Sequence, residues 1–116
     1  MRHPEKKITK IIEELTIFFL GVGATKLSSS IALEGKDVKL KFCSDYDVKY
    51  EVQIKHMEEM LKQPKNEVLE DFYWELVGTG DPGETSQLLL IGIMVDEADI
   101  KKSDNKVEIL LKKVCS

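Results

Sequence analysis

Gly78, Gly80 and Gly83 stand in the spacing G-x-G-x-x-G and lead into an apolar run from Leu88 to Val95. Glycines at such a loop-to-helix junction let backbone amides approach a phosphate, and the helix dipole favours the anion. Asp81 and Glu84, however, put two carboxylates where that anion would sit. The dinucleotide form of the motif also requires a strand before the loop. Here Val68, Leu69, Phe72, Tyr73 and Leu76 precede it with helical spacing. Asp81-Pro82-Gly83-Glu84 is a helix start, with Asp at the cap, Pro at the first position and Glu as its capping-box partner. Turn and cap chemistry is therefore the expected role of Gly78, Gly80, Asp81 and Pro82.

Other reactive residue types are present without the company that catalysis needs. Glu13 and Glu14 are adjacent on one helix and do not share a face. Asp45 and Asp47 follow a strand, where one of them is expected to cap the helix beginning near Lys49. His3 and His56 have no triad or ligand set around them in sequence. Cys43 has no neighbouring general base and reads as a small core or edge residue. Cys43 and Cys115 are too few and too far apart for a disulfide framework, so a reduced pair is expected. Phe72, Tyr73 and Trp74 could stack on bases, but Glu67, Glu70, Asp71 and Glu75 would repel a phosphate backbone.

The whole-chain numbers narrow the class. At 116 residues, with 42% hydrophobic and 33% charged content, the chain is long enough for one domain, 1–116, with a real core and no need of disulfides or metal. The formal charge of −4 argues against nucleic acid as a partner, and nine carboxylates with no Lys or Arg lie between Asn66 and Ile100. The apolar runs are too short to span a membrane. Glu13 and Glu14 interrupt the only apolar segment near the basic start, so no signal peptide is expected and a cytoplasmic location is.

The elements that must position these residues follow from periodicity. Ile8, Ile11, Ile12, Leu15, Phe18, Phe19 and Val22 give a core-facing first helix ended by Gly21 and Gly23. Leu27, Ser29, Ile31 and Leu33 alternate with polar residues, and a turn at Glu34–Asp37 leads to Val38, Leu40 and Phe42, forming a hairpin. Ile54, Met57 and Leu61 share a helical face before Pro64, and Asn66 caps a further helix. Leu88 to Val95 is expected as a central core helix, with Leu89 and Ile93 in the interior. A second hairpin pairs Ala98 and Ile100 with Val107, Ile109 and Leu111. The expected fold is α+β, in the order αββαααββ: a two-layer sandwich with a four-stranded, largely antiparallel sheet and helices on one face.

That order, above all the core helix running into a final hairpin, resembles the ATP-binding domain of the GHKL group, found in sensor histidine kinases and anti-sigma-factor kinases. The resemblance covers most of the chain. It implies ATP with magnesium as cofactor, and a first-helix Glu and Asn serving acid/base and magnesium chemistry. Glu13 or Glu14 stands in the Glu place, while Ile17 and Phe18 stand four residues on. The family's adenine-contacting Asp-x-Gly-x-Gly would follow the second strand, where this chain has Cys43-Ser44-Asp45-Tyr46-Asp47, retaining only an Asp. Gly78, Gly80 and Gly83 stand in the place of the second glycine box without its Gly-Leu-Gly-Leu pattern. The expectation is a non-catalytic or degenerate ATPase-like module of signalling or regulation, with no cofactor or metal, acting through a protein partner. Two alternatives stay open: a divergent but active ATP-binding sensor kinase domain, with Glu13 or Glu14 catalytic and Asp45, Gly78, Gly80 and Gly83 on the nucleotide, and a self-associating structural domain.

Overall fold

The computed structural model describes residues 4–62, 91, 92 and 94–114. Helix α1 (Pro4–Gly21) is followed by strands β1 (Leu27–Glu34) and β2 (Asp37–Asp45), a single 3-10 turn (Val48–Tyr50), helix α2 (Glu51–Leu61), and strands β3 (Glu97–Ser103) and β4 (Lys106–Val114). Residues 91, 92 and 94 are helical. The fold is α+β, with the four strands in one antiparallel sheet of order β1-β2-β4-β3. The segments 63–90, with the Asn66-capped helix, the glycine loop and Leu89, lie outside the described residues, as does Ile93.

The end of α1 is set by a glycine. Ala24 N donates to Phe19 O at 3.0 Å and Gly23 N to Leu20 O at 3.4 Å, the paired bonds of a Schellman cap, and Gly23 takes φ +84°. An L side chain is strained there, so Gly23 rather than Gly21 stops the helix. Upstream of it, Ile8, Ile11, Leu15, Phe18 and Phe19 are buried, the spacing of one helical face.

That face lies on the inner side of the sheet. Val38, Leu40 and Phe42 of β2 and Val107, Ile109 and Leu111 of β4 point inward and are buried, whereas Lys39 and Lys41 point outward. Phe19 stacks on Phe42 with ring centroids 5.4 Å apart. Ile54, Met57 and Leu61 of α2, with Ile91, Met94 and Val95, complete the same core. The core side of Leu88–Val95 thus matches the sequence expectation wherever it is described. Lys113 is also buried, and its ammonium donates to the Met94 carbonyl, satisfying an acceptor left open at the helix end.

Strand β1 departs from the expected pattern. Its alternation suggested one buried face, yet Ile31 is 47% and Leu33 72% exposed, and only Leu27 packs partly on the core. The reason is topological: among the described strands β1 is bonded only to β2, at the edge of the sheet, and α1 packs on β2 instead. Alternation in sequence marks two faces but not whether a helix reaches over them.

Candidate functional site

The sequence candidates converge only partly, and the centre of what they form is Asp45 at the end of β2. Its Oδ1 accepts from the backbone N–H of Thr25 at 2.7 Å and of Lys26 at 3.1 Å, and its Oδ2 accepts from the Thr25 hydroxyl. These donors hold the carboxyl down to about 2, the Thr25 hydroxyl contributing most. Physically, a carboxylate that accepts several hydrogen bonds is stabilised in its charged form. Asp45 therefore closes the corner where the chain leaves α1 and enters β1. Its oxygens are engaged within the chain.

Asp47, two residues on, holds the other side of the corner. Its N–H donates to Val22 O at 2.9 Å, and its carboxylate accepts from Lys49 N at 3.1 Å, capping the 3-10 turn that leads into α2. Of the two acids expected to cap the helix near Lys49, Asp47 caps only the 3-10 turn and Asp45 caps neither, and α2 itself starts after Tyr50 without a side-chain cap.

Between them Tyr46 turns inward and is buried. Its backbone N–H donates to Asn105 O at 3.0 Å, and the Asn105 side-chain amide donates to Tyr46 O at 3.1 Å. The Tyr46 hydroxyl donates to Glu51 Oε1 at 2.7 Å, and Lys102 reaches Glu51 at 2.9 Å and Glu58 at 3.2 Å. Burial, then the bond to Glu51, raises the Tyr46 pKa, so the phenol keeps its proton. The hydrogen bond from Lys102, then that from Tyr46, lowers Glu51, and the bond to Glu51 in turn raises Lys102. This network ties the β2 exit, α2 and the β3–β4 hairpin together. Sequence reasoning missed it, although Glu51 and Glu58, two helical turns apart on one face of α2, were a signal that a cation would lie opposite.

Glu13 and Glu14 are elsewhere. Glu14 is buried and its Oε1 pairs with Lys10 at 2.9 Å, while the exposed Glu13 lies 3.7 Å from the same ammonium. Both carboxylates face a lysine of their own helix. Gly78, Gly80 and Gly83 lie outside the described residues, and so does Cys115; Cys43 is a free thiol, half-buried on β2. Among the described residues no three His, Cys, Asp or Glu side chains gather as metal ligands, and no helix is long and apolar enough to cross a membrane.

On the side of the sheet away from the core, cross-strand rows run Ser28–Cys43–Glu108–Lys101 and Ser30–Lys41–Leu110–Asp99. A shallow hollow of about 660 Å³ extends along this side from Thr25 and Asp45 to Lys101 and Lys106. Its lining carries Lys26, Lys101, Lys102 and Lys106 against Asp45 and Glu108, and two of these charges pair outside it, Glu108 with Lys41 at 3.3 Å and Lys102 with Glu51 at 2.9 Å. The two sheet edges contrast sharply. β3 carries Glu97, Asp99, Lys101 and Lys102, whereas β1 has no charge from Leu27 to Leu33. Charged residues blunt an edge against pairing, and an uncharged, exposed edge invites it.

No protein-family model matches the chain, and neither a curated protein nor a solved structure is significantly similar to it.

Proposed function

We propose that the chain is a regulatory module of degenerate GHKL-like plan, working in the cytoplasm through protein contact and without phosphoryl chemistry. The observation that carries this reading is the engagement of Asp45. A carboxylate that recognises adenine must offer an oxygen to the exocyclic amine, and here the oxygens accept from Thr25 and Lys26. Breaking those bonds would open the α1–β1 corner. The lysine pairing of Glu14 and the residues Ile17 and Phe18, at which no magnesium ligand is available, point the same way. What remains for function is surface, and the uncharged β1 edge is its most reactive part towards another polypeptide.

A titration followed by two-dimensional amide NMR tests this. Addition of ATP with magnesium should leave the Thr25 and Lys26 amides unmoved, since their acceptor is not released. Saturable shifts at those two amides would mean that nucleotide displaces the internal bonds, and would favour a divergent ATP-binding domain.

A further inference from the structure

We infer that the partner of the β1 edge is a second copy of this chain, paired antiparallel about a two-fold axis through Ser30. The hydrogen-bond phase of β1 defines the open groups. Glu34 and Asp37 close a two-residue hairpin loop, and Asp45 N donates to Lys26 O at 3.4 Å at the other end of the ladder. Residues 26, 28, 30, 32 and 34 therefore direct their backbone groups at β2. Leu27, Ser29, Ile31 and Leu33 direct theirs outward, and among the described residues no strand lies on that side.

An outward row of alternating N–H and C=O groups is complementary to another strand, and the side chains select which one. With the axis at Ser30, Leu27 faces Leu33 of the other copy and Ser29 faces its Ile31, each pair exchanging two hydrogen bonds. Lys26 then stands opposite Glu34 of the other copy. Shifting the axis one residue to Ile31 would set Lys26 against Lys36, and shifting it to Ser29 would leave Glu34 against Ala24. Charge thus selects the Ser30 register. Glu34 already meets Lys39 at 2.9 Å but remains 60% exposed at its side chain, so it can accept a second cation.

The two-fold axis is perpendicular to the sheet, so both helical layers lie on one side of the joined eight-stranded sheet. On that side Leu33 would pack beside Leu27, and Ile31 beside Ser29, of the other copy instead of facing water. On the opposite side the contact row is Ser28, Ser30 and Ala32, small enough to let the strands approach without obstruction. Stable interfaces bury about 1,200–2,000 Å², more than a single added strand pair offers, so the association is expected to be weak and concentration-dependent.

The inference rests on the protein-contact reading, and the experiment separates the two. Sedimentation equilibrium from micromolar to millimolar protein should show a monomer–dimer equilibrium, with amide exchange at Leu27, Ser29, Ile31 and Leu33 slowing as concentration rises. Ser29→Pro deletes an outward donor and no bond to β2, so it should abolish the dimer while the circular dichroism spectrum persists. Glu34→Lys should weaken the dimer roughly tenfold or more, because the changed pair occurs twice across the axis. It does so despite reducing the net charge from −4 to −2, which by itself favours association. Lys26→Glu with Glu34→Lys returns the charge to −4 and should restore dimerisation, which a variant that merely misfolds would not do. A chain that stays monomeric throughout, a dimer indifferent to these changes, or a β1 edge that takes only a foreign strand would each overturn the second-copy assignment. The protein-contact reading would fall separately, on saturable ATP binding.

Discussion

Gly92→Ala should destabilise the protein, although helix propensity alone argues the reverse. Gly92 is helical and buried, and a Cβ placed on it would overlap the Met60 carbonyl oxygen near the end of α2, with Met60 C 3.1 Å and Leu61 Cα 3.5 Å away. Replacing Gly by Ala in a helix interior is worth about 1 kcal/mol in favour of folding. Overpacking costs about 1–3 kcal/mol, and the obstruction here is backbone, which cannot rotate aside as a side chain would. The upper part of that range applies, so the net loss is about 1–2 kcal/mol. For a chain of this length that lowers Tm by roughly 4–8 °C. Urea melts at constant m-value, paired with calorimetric Tm, read it directly. A Tm that is unchanged or raised would show that the helix at Gly92 does not lie against the end of α2, and the core arrangement would have to be redrawn.

Phe19→Ala should cost about 3–5 kcal/mol, because it removes a fully buried ring stacked on Phe42, while Lys55→Ala on the exposed side of α2 should stay within about 0.5 kcal/mol in the same urea melts. Similar effects at both positions would misplace the core. Asp45→Asn should alter the acid limb of stability. Since the folded carboxyl is held at about 2, below its ordinary 3.8, the stabilisation is present above pH 4 and lost as pH falls towards 2. The Tm gap between the native protein and the variant should therefore be widest near neutrality and close by about pH 2. A gap independent of pH would mean that the corner is held without the charge.

Much of the fold was legible because apolar period and turn chemistry agree locally. The two hairpins, α1 and α2 follow from spacing alone, and Asp47 was among the acids expected to cap. The exposure of Ile31 and Leu33 was not legible, since strand order decides which strand lies at the edge and no local pattern encodes it. Nor was the site. Asp45 meets Thr25 and Lys26 across the first hairpin, and Tyr46 meets Asn105 from the second, contacts between segments far apart in the chain. The resemblance drew attention to Asp45 for nucleotide binding, whereas its geometry is that of a structural acceptor. Only three-dimensional distance distinguishes the two roles of one carboxylate.

The most direct measurement is an isothermal calorimetric titration of ATP into the unmodified chain, with and without magnesium. The proposed protein-contact module should give no saturable heat in either case and no hydrolysis of labelled ATP above background. Micromolar, magnesium-dependent binding would contradict it, and Glu13 and Glu14 would become the first residues to test for catalysis.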